Sequence, residues 1–112
     1  MMKSAEKRAA LADYRERKAA MGIYAIRCRA SGECWLGRSL DLGKIQNRHW
    51  FTLRQGNSPH RTLQAAWQQH GGDGFEFEIV EELEPEEVPY ARDRQLKDRL
   101  AHWCARLGAA AL

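Results

Sequence analysis

A chain of 112 residues, 44% hydrophobic and 29% charged, has the material for one modest core and one domain. No apolar run reaches the length of a membrane span and no signal-peptide pattern opens the chain, so no membrane partner is expected and a cytoplasmic location is. Net charge is only +3 but unevenly placed, and three cysteines, Cys28, Cys34 and Cys104, fit no CxxC or zinc spacing.

Residues 4 to 18 read as a helix, capped at Ser4 and rich in alanine, an extension before the domain proper. Met21 to Arg29 then alternates as a strand. Ile23 and Ala25 lie on one face, Tyr24, Ile26 and Cys28 on the other. Ala30-Ser31-Gly32 supplies a turn, and Cys34-Trp35-Leu36 begins the return strand, which brings Tyr24 and Trp35 near each other. The cysteines read as thiols in a reducing compartment rather than as a Cys28–Cys34 bridge. Ser39 or Asp41 can cap a helix over about 41 to 55, whose apolar positions include Leu42, Ile45 and Leu53. Gly56 stops it. Ser58-Pro59 should open the next helix, with Leu63, Ala66, Trp67 and His70 in one stripe. Phe75, Phe77 and Ile79 alternate with Glu76 and Glu78, a half-buried strand. A last helix runs from about Tyr90 to Leu107, with Leu96, Leu100, Trp103 and Leu107 along one side. Residues 108 to 112 read as a loose tail. The expected fold is α+β: a small three-stranded antiparallel sheet, strands 22–29, 33–37 and 75–82, flanked by helices.

Charge is segregated along this order. From Arg27 to Arg61 there are seven cations against Glu33 and Asp41; from Asp73 to Glu87 there are eight acids and no cation. A phosphate-facing side or a set of solvated helix faces would each give this pattern.

Gly22-Ile23-Tyr24 followed by Trp35-Leu36-Gly37 resembles the opening of the GIY-YIG nuclease domain, with tryptophan in place of the second tyrosine. The resemblance runs from about Met21 to Leu107 through Gly37-Arg38-Ser39, Asn47-Arg48-His49-Trp50, Leu53-Arg54-Gln55-Gly56, Pro59-His60-Arg61 and Gly74-Phe75-Glu76-Phe77. It looks closest to the branch sometimes fused to LuxR- or ArsR-type regulators. It implies the same three-stranded sheet and a DNA-cutting site. In that site a first-strand tyrosine acts on the nucleophilic water, a helical arginine contacts phosphate, and a late glutamate holds a divalent metal. Residue by residue, Tyr24 matches the tyrosine and His49 a histidine of the first helix. The arginine falls on Ile45 and the glutamate on Leu100. The asparagine expected near the end has no counterpart. Arg48, three residues after Ile45, lies on nearly the same helix face.

Three readings follow. The first is a domain with a degenerate site that binds DNA or another nucleic acid and cuts it weakly or not at all. Its site residues are Tyr24, Arg48 and His49, with Arg38, Lys44, Asn47 and Arg54 on the nucleic acid and no metal ligand. The second is an active endonuclease using Tyr24, Arg48 and Mg2+ or Mn2+. The third is a module on the same fold that binds a protein partner. Under the first two, Tyr24 should line a groove with its hydroxyl partly exposed; under the first, Leu100 should be buried. Each tryptophan has a plain alternative as core, and His49 and His60 read as isolated.

Overall fold

The computed structural model describes residues 20–112, so the helix expected at residues 4–18 lies outside them. In chain order the elements are β1 (Met21–Cys28), β2 (Cys34–Ser39), α1 (Leu42–Gln55), α2 (Arg61–His70), β3 (Phe75–Leu83), α3 (Pro89–Leu107) and β4 (Ala110–Ala111). The fold is α+β, as expected, but the sheet has four strands rather than three, in the order β3-β1-β2-β4. β1 pairs antiparallel with β2 and β3, and β4 runs parallel to β2.

The fourth strand comes from the segment expected to be a loose tail. Gly108 ends α3 in the left-handed region at φ 63°, which turns the chain back along β2. The Leu112 amide donates to the Leu36 carbonyl at 2.8 Å. Ala110 and Ala111 carry no strand signal of their own; pairing with β2 decides their state.

Alternation in β1 sorts the two faces of the sheet. Tyr24, Ile26 and Cys28, with Trp35 and Phe75, meet Leu42 and Leu53 of α1 and Leu63 and Ala66 of α2. Met21 on the opposite face joins Leu83 and Leu96, so α3 packs there. Each fully buried aliphatic side chain in this set stabilises the fold by about 1.5–3 kcal/mol. Asp41 caps α1, its Oδ1 accepting from the Gly43 amide at 3.1 Å. Gly56, at φ 75°, ends that helix. The helix expected from Ser58-Pro59 begins two residues later, at Arg61. Its preceding turn is held instead by the Gln64 side chain, which accepts from the Ser58 amide and donates to the Leu53 carbonyl, each at 3.1 Å.

Two expectations are corrected by register and packing. Tyr24 lies opposite Gly37, and Trp35 lies opposite Ile26, two residues further along. Leu100 is half-buried and Leu107 exposed, while Leu96 is the buried residue of α3. Leu96 sits over the sheet with Met21 and Leu83, whereas Leu100 and Leu107 are not part of that cluster. The three cysteines are free thiols, with Cys28 in the core and Cys34 opposite Arg27.

The motif glycines mark close approaches. A Cβ on Gly22 would overlap the Glu81 carbonyl, beside the bulge in the β1–β3 ladder. A Cβ on Gly37 would overlap the Tyr24 phenol, whose ring lies across that glycine.

Candidate functional site

Tyr24 projects from β1 toward α1, and the Gly37 backbone leaves room for its ring to lie flat against β2. Its hydroxyl meets His49 Nε2 at 2.6 Å. The ring stacks on Phe77 at 5.5 Å between centroids. Tyr24 is thus only 3% exposed, and the expected partly exposed hydroxyl is a buried one. Packing on both sides is the cause: Phe77 covers one side of the ring and His49 sits at its tip.

His49 is itself 6% exposed. It stands one turn beyond Ile45 on α1, and Thr52 follows on the same side. Its ring lies 5.6 Å from that of His60, the residue just before α2. Isolated in sequence, the two histidines are joined by the turn between α1 and α2. A hollow of about 320 Å3 opens here, lined by Tyr24, Gly37, Arg38, Ile45, Arg48, His49, Thr52, Pro59, His60 and Leu112. A second hollow of about 320 Å3 shares Arg38, Ile45 and Arg48 with it and adds Lys44, Ser39, Leu40 and Asp41. The two form one groove along α1.

Of the residues singled out from sequence, Tyr24, Arg38, Lys44, Arg48 and His49 come together along this groove. Asn47 and Arg54 do not line it; both are exposed, as is Phe51 between them. Positions 47, 51 and 54 share one helix side, and 45, 48, 49 and 52 another, so the split follows from the 3.6-residue period. His60, Thr52 and Leu112 line it too, none of them a site candidate from sequence. Thr52 was legible as the next turn after Arg48 and His49. His60 had no local signal.

Charge in the groove is unbalanced. Arg27 and Arg29 pair with Glu78 and Glu76 on the sheet, and Arg94 and Arg99 pair with Asp98 and Glu81. Arg38, Lys44 and Arg48 have no carboxylate partner among the described residues. Burial pushes the Tyr24 phenol up to about 12. Burial first, then the nearby His60 and Arg48, pushes His49 down to about 4. Both groups are neutral at neutral pH, so a phenol proton and an imidazole nitrogen meet across 2.6 Å.

Below about pH 6.5 the unfolded chain takes up a proton on this histidine that the folded protein refuses until about pH 4. The contribution of neutral His49 is therefore complete above about 6.5 and is lost as pH falls toward about 4. Urea midpoints should drop through that window, and His49→Gln should flatten the drop. Identical pH slopes in the two proteins would remove His49 from this role.

A divalent metal does not fit the residues present. Among the described residues no carboxylate lines the hollow at Tyr24, and two arginines, Arg38 and Arg48, face the space a cation would need. Among the described residues no three His, Cys, Asp or Glu side chains come together as a metal site requires. At the positions where the resemblance implies an arginine and a glutamate, Ile45 lines the groove and Leu100 is half-buried on α3. Glu81, which faces that stretch of α3 from β3, is occupied: its Oε1 accepts from Arg99 Nε at 2.7 Å and from Trp103 Nε1 at 3.0 Å.

No family model matches the chain, and no curated protein matches it. Solved structures do. The catalytic domain of the homing endonuclease I-TevI superposes with a TM-score of 0.69 at 25% identity, over 82% of this chain and 97% of that one. A mutant catalytic domain of the intron endonuclease I-TevI superposes with a TM-score of 0.67 at 27% identity, over 80% of this chain and 84% of that one.

Proposed function

From the premise that this chain carries the GIY-YIG nuclease domain, we propose that it binds nucleic acid through the groove along α1 and cleaves it weakly or not at all. The observation that carries this reading is the line of Arg38, Lys44 and Arg48 beside Tyr24 and His49, three cations without carboxylate partners among the described residues. Unpaired cations along one groove are what a phosphate backbone neutralises. Arg48 supplies a cation one turn from Ile45, where the family has its arginine, so phosphate contact survives the substitution. The solved neighbours, named as endonucleases, are consistent with a nucleic-acid ligand.

A second reading, an active endonuclease, has one observation in its favour: the Tyr24–His49 contact at 2.6 Å. A phenol oxygen can take a proton from water while passing its own to the imidazole. Yet a base near 4 and an acid near 12 both lie far from neutral pH, where proton transfer is most effective.

The test is fluorescence anisotropy with a labelled DNA duplex over a salt series. Log affinity should fall linearly with log salt. Arg38→Ala, Lys44→Ala and Arg48→Ala should each lower the slope by about 0.9. Arg54→Ala, on the far side of α1, should leave the slope alone. Absence of salt-dependent binding would leave the protein-partner reading in its place.

A further inference from the structure

We propose that the groove where α3 leaves the sheet binds one unpaired nucleotide adjoining the phosphate held at Arg38, with Tyr90 as its stacking surface. The inference rests on the nucleic-acid reading above and extends it. A third hollow of about 670 Å3 lies between the end of β2 and the first turns of α3. It shares Arg38, Ser39 and Leu40 with the basic groove, so the two are continuous. Its volume falls in the range that holds a small organic ligand.

Two large apolar side chains stand open to solvent there, Tyr90 at 74% and Leu40 at 48% exposure. Tyr90 sits in the first turn of a 19-residue helix, directly after Pro89 at the helix start. Proline fixes that turn, so the ring is carried on rigid backbone and little freedom is lost when a base stacks on it. The charges order the ligand. Arg38, free of a carboxylate among the described residues, marks the phosphate end. Asp93 and Asp98 line the same hollow, together with Arg94 and Lys97, and their carboxylate oxygens can accept from the exocyclic amine of a base. Arg94 is held only loosely, 4.0 Å from Asp98 with both side chains exposed. An aromatic face with acceptors beyond a bare cation suits an unstacked base attached to a backbone phosphate. A paired base would keep its face inside the duplex.

The experiment compares two kinds of DNA probe by anisotropy at one low salt concentration. One is a blunt hairpin; the other is the same hairpin with a short deoxyadenosine overhang, made in both polarities. The overhang of one polarity should bind on the order of tenfold more tightly. Tyr90→Ala should bring that probe down to the blunt level, and Tyr90→Phe should keep the gain. Equal binding of blunt and overhang probes, or a gain that survives Tyr90→Ala, overturns the proposal while leaving the basic groove in place. Failure of every probe to bind at that low salt concentration overturns the parent reading, and this proposal with it.

Discussion

Supercoiled plasmid incubated with the protein and magnesium or manganese should stay supercoiled, at protein concentrations that retard the same plasmid in a low-salt gel. Three features add to that expectation. Ile45 cannot hold developing phosphate charge, and Leu100 cannot hold a metal. A preorganised electrostatic group is typically worth roughly 2.7–4 kcal/mol in the transition state, about 100- to 1,000-fold in rate. Lacking two, the chain should fall on the order of ten-thousand-fold or more below a domain that has both. Arg48 offsets part of the first loss, because it lines the same hollow as Ile45. Among the described residues nothing offsets the second there, since none of their carboxylates lines that hollow and Glu81 is held by Arg99 and Trp103. The proton-transfer pair is mismatched to neutral pH as well, with His49 near 4 and Tyr24 near 12. Steady metal-dependent conversion of the plasmid to nicked or linear form, lost in Tyr24→Phe, would refute this and establish the active-nuclease reading.

The same residues show how far the chain could be read without its structure. Tyr24, Ile26 and Cys28 fell on one face because a period of two was plain in β1, and the structure keeps that face. The α1 groove was half legible. Lys44 and Arg48 are one turn apart, and Tyr24 lies on the strand they cover. Asn47 and Arg54 were grouped with them by charge and proximity in sequence, although the helical period carries both to the outer side. His60 reaches His49 only through the α1–α2 turn, which the Gln64 side chain fixes by bonding to both sides of it. No local pattern encodes such a contact. Burial of the Tyr24 hydroxyl depends on Phe77 from β3, some fifty residues downstream, and β4 depends on the free edge of β2. These are tertiary decisions, and two alanines after a glycine carry no trace of one.

Trp35→Ala should be the most destabilising single change among the motif residues, at about 3–5 kcal/mol. Trp35 is 2% exposed, and its indole lies nearly parallel to the Phe75 ring at 6.2 Å. Its Nε1 donates to Thr62 Oγ1 at 3.0 Å, which ties β2 to the first turn of α2. Truncation would open a cavity between the sheet and both helices of that face and remove the bond that orients α2. Against a total stability of roughly 5–15 kcal/mol, such a loss leaves a marginal domain. Tyr24→Phe removes only a hydroxyl and keeps the ring on Phe77, so it should cost about 1–3 kcal/mol, from the partner left at His49. Urea unfolding of the two variants and the unaltered chain measures the difference. The comparison also separates two uses of one motif. The resemblance implies a tyrosine of the site at this position; here the ring is turned into the core and its one polar atom bonds to Thr62. If Trp35→Ala cost less than about 1 kcal/mol while abolishing DNA binding, Trp35 would have to be a ligand-facing residue after all, and the packing account of β2 would fail.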